Sequence, residues 1–234
     1  MTTTLTTTGS IFRKALGEDF DRLHPQLRRR FGFSAADGVA CVGEGVMEEI
    51  WRGSAFTVPF LRLGATRNIL FPETGRDVPF VIENYAYLDD FGRDTVTFVR
   101  TFELGGGLRR RFDATMVHSA RRGRVVDYLG THQHVAVDLD LSVDSRGGLV
   151  IRSGEQRLRA GLLDLRVPRA LLARAEVREW YDEQAGEFRI EVRVASSWAG
   201  PLFGYRGRFT ARYWDTAAAR VPATVRPYRE ELRE

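Results

Sequence analysis

Residues 96–118 read VTFVRTFELGGGLRRRFDATMVH, and three consecutive glycines in the middle of the run, Gly105, Gly106 and Gly107, mark a turn. Counting outward from that turn pairs Phe102 with Arg110, Arg100 with Phe112, Phe98 with Ala114 and Val96 with Met116. Side chains alternate along a strand, so all of these share one face. That face is apolar and aromatic apart from its two arginines. The opposite face, with Thr95, Thr97, Thr101, Glu103, Arg109, Arg111, Asp113 and Thr115, reads as solvated. The stretch describes an antiparallel hairpin whose inner wall carries cationic hydrogen-bond donors.

The hairpin sits in a longer meander. Segments 78–88, 93–104, 108–119, 123–129, 131–143 and 149–159 are separated by turn signals such as Asp89-Asp90-Phe91-Gly92 and Arg146-Gly147-Gly148. Strands 174–183, 187–196 and 202–214 follow a crossing over 160–173, where Pro168 precedes a helical turn through Leu171 and Leu172. In 187–196 the alternation is clean, with Phe188, Ile190, Val192 and Val194 on one face. Upstream, 39–51 is a strand in which Gly43 and Gly45 suggest a bulge or a close backbone approach. Short, regularly spaced strands predict a mainly β fold: a strongly curved antiparallel meander forming a barrel or half-barrel.

Two stretches break the strand pattern. Phe12, Leu16, Phe20, Leu23, Leu27 and Phe31 recur at helical spacing and predict helices over 10–17 and 19–30, with Ser10 as N-cap, covering one face or end of the sheet. Residues 54–72 form the most apolar connection in the chain. Ser54 is a candidate cap for a helix there, with Phe56, Phe60 and Leu63 expected to turn inward as a lid over a cavity or a plug filling it. Residues 1–9 are expected to be disordered, 10–214 to form a single domain and 215–234 to be a loosely held tail.

Composition narrows the classes. In 234 residues, 35 basic side chains face 31 acidic ones, and Lys14 is the only lysine. The arginine runs lie at a helix end, a strand start and a turn rather than on one face interleaved with aromatics, so nucleic acid is not an expected partner. Cys41, the single cysteine, asks for no oxidising compartment. No run approaches membrane-spanning length, and a cytoplasmic location is expected. The sequence leaves the oligomeric state open.

Two groups carry possible chemistry. His132 and His134, with Asp138 and Asp140 on the same strand face, have a metal-ligand spacing. A downstream third histidine is lacking, however, and a solvent-facing strand explains the pattern, so no metal or other cofactor is expected. Arg100 and Arg110 are the stronger candidates, because a buried arginine needs an acid or a ligand anion. Glu83, Glu103 and Glu179 are possible structural partners, and the face that Glu83 takes depends on the turn at 89–93. Nucleophile elbows and phosphate-binding glycine loops are absent; Gly105–Gly107 joins two strands and opens no helix.

IFRKALGEDFDRLHPQLRRRF at 11–31, RDVPF at 76–80, Phe98-x-Arg100-x-Phe102, VPRALL at 167–172 and GPLFGYRG at 200–207 follow one another in an order that resembles a bacterial domain family of unknown function, numbered 4166. Phe98 stands where that family usually has tryptophan. The resemblance implies one continuous domain from Ile11 to about Tyr213. It brings no established activity, although fusion of some members to dehydrogenase-like domains suggests a partner role. The expected function is binding of a hydrophobic, acidic small molecule in an apolar barrel cavity, with Phe98, Phe102, Phe112, Tyr128, Tyr205, Phe56 and Phe60 as lining. Arg100, Arg110 and Glu83 are the candidate catalytic groups of a cofactor-independent cyclase or isomerase of natural-product biosynthesis. The alternative is a non-catalytic carrier or partner module of a larger enzyme.

Overall fold

The computed structural model describes residues 9–160, 163–167, 173–216 and 221–234. Its strands are β1 (Val39–Arg52), β2 (Gly75–Leu88), β3 (Asp94–Glu103), β4 (Arg109–Ser119), β5 (Arg124–Leu129), β6 (Val135–Val143), β7 (Leu149–Ala160), β8 (Leu163–Arg166), β9 (Ala173–Asp182), β10 (Glu187–Ser196) and β11 (Gly200–Asp215). Helices α1 (Ile11–Leu16) and α2 (Pro25–Phe31) precede β1, and α3 (Val58–Ala65) lies between β1 and β2. One sheet runs β6-β5-β4-β3-β2-β1-β11-β10-β9-β7, and β6 also pairs with β7. The result is a closed antiparallel barrel of ten strands, with β8 paired only to the far part of β7.

The glycine hairpin forms as its spacing dictates. Phe102 pairs with Arg110, Arg100 with Phe112, Phe98 with Ala114 and Val96 with Met116. Gly105, Gly106 and Gly107 all take positive φ, which a Cβ would disfavour. At Gly45 the constraint is proximity instead: an added Cβ would lie 2.0 Å from the Arg208 carbonyl oxygen, so β1 and β11 can pair there only without a side chain. The bulge expected in β1 falls further on, between Met47 and Glu49. Inside, Phe71, Phe80, Phe102 and Tyr205 pack ring against ring and fill one part of the barrel.

The two ends are closed differently. At the end bearing the 89–93, 144–148 and 183–186 turns, Ser10 caps α1 through the Arg13 amide at 3.1 Å. Ile11, Phe12, Leu16, Phe20, Leu23, Leu27 and Phe31 are all buried in the core. At the other end α3 turns Leu61 inward and Thr57 is buried beside it. Phe56, Phe60 and Leu63, expected to point into the barrel, are instead 50%, 67% and 68% exposed. Leu61, Leu70 and Phe71 take the inward apolar positions of this connection, and the three expected residues fall on the opposite side. Ser54 makes no side-chain cap; its carbonyl accepts from the Thr57 hydroxyl at 2.7 Å.

The C-terminal segment is fastened rather than loose. The Tyr228 amide donates to the Thr131 carbonyl at 2.8 Å, the Glu231 amide to Gln133 Oε1 at 2.6 Å, and Arg93 Nη2 to the Glu231 carbonyl at 2.8 Å. Burial of Val225 and Glu231 accompanies these bonds. Thr95, Thr97, Asp113 and Thr115 on the outer face, expected to be solvated, are buried as well. Short polar side chains suit such a layer because their hydroxyls can bond locally, as Thr95 does to the Arg93 carbonyl. Residues 1–8 and the helical turn expected at Leu171 and Leu172 lie outside the described residues.

Candidate ligand cavity

Between the α1–α2 plug and the α3 end lies a cavity of about 180 Å³, bounded by Phe31 below and by Ile69 and Leu70 above. Its wall is apolar, with Ile82, Phe98, Met116, Leu139, Ile151 and Val192 among the lining. Into this wall come three ionisable side chains, Arg100, Asp127 and Glu179. An engineered apolar cavity of about 150 Å³ holds a benzene molecule, so the space suits a small, compact ligand.

Arg100 faces inward as the hairpin register requires, and it is buried. Its guanidinium carbon lies 4.7 Å from the Phe112 ring centroid and 5.6 Å from that of Phe98. These rings return part of the lost hydration through cation–π attraction. Neither Nε nor Nη1 reaches a hydrogen-bond partner, and Arg100 forms no ion pair among the described residues. Asp127 is similarly placed, with Oδ1 unbonded. Burial pushes its carboxyl up to about 7, against the pull of the Arg100 charge. Glu179 is satisfied: Arg30 Nε from α2 donates to it at 2.5 Å, so burial raises the carboxyl while Arg30 and then Arg100 hold it down. The Tyr205 hydroxyl is buried without a partner, and burial raises it to about 12.

The other candidates separate. Arg110 sits at the mouth of its strand and is paired with Glu73, Nη2 at 2.6 Å and Nε at 2.9 Å. That hydrogen bond holds the Glu73 carboxyl below its ordinary value. Glu83 is not on the cavity wall; half-burial raises it, with Arg111 and Asp113 of the outer face as its charged neighbours. Phe98 and Phe112 line the cavity, whereas Phe102 and Tyr205 pack in the adjoining aromatic layer. Tyr128 is on the outer face beside Val117, Val126 and Ala136, where its hydroxyl donates to the Arg233 carbonyl at 3.2 Å. Phe56 and Phe60 are outside, Phe60 lining a second, surface groove. His132 and His134 lie 5.7 Å apart, lowered by partial burial and by Arg67 and Arg229, and no cluster of metal-ligating residues occurs among the described residues.

Asp127 carried a legible signal that the strand phase concealed. In RVVDYL at 124–129 both alternating sets contain apolar residues, Val125 and Leu129 against Val126 and Tyr128, because both faces of β5 are covered. Arg30 had no such signal: it closes a run of three arginines at a helix end, the usual place for solvated charge, yet it is fully buried.

The sheet is thinnest between β7 and β9, which pair only over Leu149–Arg152 and Glu176–Glu179. Beyond that the seam is bridged by side chains. The Ala175 amide donates to Ser153 Oγ at 2.7 Å, and Gln156 Nε2 donates to the Ala173 carbonyl. Ser153, Gln156, Ala173 and Ala175 all line the cavity.

The family model of a domain of unknown function (DUF4166) matches residues 23–209. The chain belongs to this family. It is also similar to an uncharacterised protein, YndH, of Bacillus subtilis (strain 168), at 32% identity over 200 residues covering 86% of this chain and 96% of that protein. The span matched to the family contains Arg30, Arg100, Asp127 and Glu179, while the fastened C-terminal segment lies beyond it.

Proposed function

We propose that the barrel binds a small, largely apolar molecule bearing a carboxylate or enolate oxygen, with Arg100 as its anchor. One observation carries this: a buried guanidinium lies on the wall of an apolar cavity with its Nε and Nη1 nitrogens unbonded. An unpaired buried cation is expensive, and a ligand anion would supply the missing partner. Asp127 adds a second group that can donate when protonated and accept when ionised, and its carboxyl near 7 lets both forms exist at neutral pH.

The chemistry this pair suits is proton transfer beside a carbonyl. A C–H bond breaks, its electron pair delocalises onto the oxygen held by Arg100, and the proton moves to Asp127 for return to another carbon. An isomerase or cyclase needing no cofactor would use that step, and a carrier would use only the binding. The test is displacement of an apolar dye by compact hydrophobic acids. Acids should compete at least tenfold better than their methyl esters, and Arg100→Met should remove that preference; equal competition by acid and ester overturns the anchor. Exchange of ligand hydrogen for solvent deuterium, lost in Asp127→Asn, identifies catalysis, and its absence from the intact protein identifies a carrier.

A further inference from the structure

Phe60 and Leu63 of α3 and Phe56 of the 3-10 turn leading into it are all exposed, and the Phe56 ring lies 6.0 Å from that of Trp198, itself 59% exposed. Four large apolar side chains thus form one contiguous exposed stripe at the α3 end of the barrel, where a soluble surface ordinarily scatters them. The charge around the stripe is one-sided. Arg52, Arg62 and Arg67 are exposed, and no acidic residue occurs from Arg52 to Pro72 or from Ala195 to Leu202. Although arginine–carboxylate pairs cover much of this protein, none of these three arginines forms one among the described residues; the Glu73 carboxyl, which Arg62 helps to hold down, is bonded to Arg110. Aromatic and aliphatic side chains flanked by unpaired arginines are the composition that lies at the boundary between lipid headgroups and acyl chains.

We propose that this end of the barrel docks on an anionic lipid surface, with Phe56, Phe60, Leu63 and Trp198 entering the interface and Arg52, Arg62 and Arg67 meeting the headgroups. A second copy of the chain fits less well, since pairing the patch with itself would bring its arginines together without acids to answer them. The location has a consequence. Ile69, Leu70 and Ala173 line both the groove beneath Phe60 and Trp198 and the internal cavity, so the docked face adjoins the ligand space. Docking itself does not depend on the acid-binding reading.

Ligand-free protein is sedimented with vesicles of phosphatidylcholine alone and of phosphatidylcholine with phosphatidylglycerol. Binding to the anionic vesicles is expected, weakening as salt rises. Arg62→Gln with Arg67→Gln should reduce it roughly 25-fold, from about 1 kcal/mol for each arginine at the surface. Phe60→Ser with Leu63→Ser should reduce it at least tenfold while leaving the melting temperature unchanged, which separates lost docking from lost fold. No binding to anionic vesicles, or binding unchanged in both double variants, overturns the proposal. So does a dimer in size-exclusion chromatography that Phe60→Ser with Leu63→Ser dissolves, which would assign the stripe to a second copy. Dye displacement by hydrophobic acids, measured without lipid, reports on the cavity independently of every outcome here.

Discussion

The two ends of this barrel are made from similar sequence and put to opposite use. Both are short helical stretches rich in phenylalanine and leucine, inserted where the strand pattern lapses. At the α1–α2 end every apolar side chain of the stripe enters the core. At the α3 end Leu61 enters, while Phe56, Phe60 and Leu63 face out. The lesson is that apolar composition measures how much surface wants covering and does not say which side the cover comes from. One end is a plug, completed within the chain; the other leaves its stripe exposed.

The largest test of that contrast is at the plug. Phe12 is buried and packs edge-on against Phe31 at 4.8 Å and Phe98 at 5.9 Å, so Phe12→Ala should cost about 3–5 kcal/mol in urea unfolding. A loss under 1 kcal/mol would mean the plug end is as dispensable as the other. Arg30 ties the same end to the cavity wall. Arg30→Met would strand the Glu179 carboxylate in the core, at about 3–5 kcal/mol. Stability restored by the further change Glu179→Gln would identify the stranded charge as the cause.

Asp127 probes the space between the ends. Its folded-state value of about 7 lies above the ordinary carboxyl range, so the folded protein keeps a proton that the unfolded chain has released. Its contribution is therefore fully present below about pH 4, falls as pH rises to about 7, and then levels off. Asp127→Asn lacks this loss. It should gain on the parent by up to about 4 kcal/mol between pH 4 and 8, read from paired denaturation curves. Parallel pH profiles for the two proteins would show that the carboxyl is solvated.

Arg100→Met should change stability least among the buried charges and in the opposite sense to Arg30→Met, a gain of about 1 kcal/mol, because no carboxylate hydrogen-bonded to it is stranded and Asp127, whose carboxyl burial already raises, can take up a proton. A destabilisation of 3 kcal/mol or more would reveal a structural partner and remove the ligand argument. At the foot of the scale, Phe60→Ser should move stability by about 0.5 kcal/mol or less, as a surface change does. Loss comparable to that in Phe12→Ala would make the α3 stripe a second plug and erase the difference between the ends.

By itself, the sequence determined whatever depends on neighbours along the chain. The glycine turn and strand alternation set the register of the central hairpin and turned Arg100 inward, and the spacing of turns made the protein an antiparallel β structure. Helical spacing found the plug and its cap. Tertiary structure alone decided what stands opposite each of those residues. Arg100 and Arg110 share a strand face, yet Glu73 reaches only Arg110 and leaves Arg100 to the cavity. The pairing of β5 with β4 turns Asp127 in and Tyr128 out, an assignment the alternation leaves open because the C-terminal segment covers the outer side of β5 and both sets are apolar enough to be buried. The 54–72 connection shows Phe56 and Phe60 to solvent while Leu61, Leu70 and Phe71 occupy the inside. Periodicity is a local property written in spacing, but the partner of a charge and the cover of a face are supplied by distant segments, so only the folded arrangement can assign them.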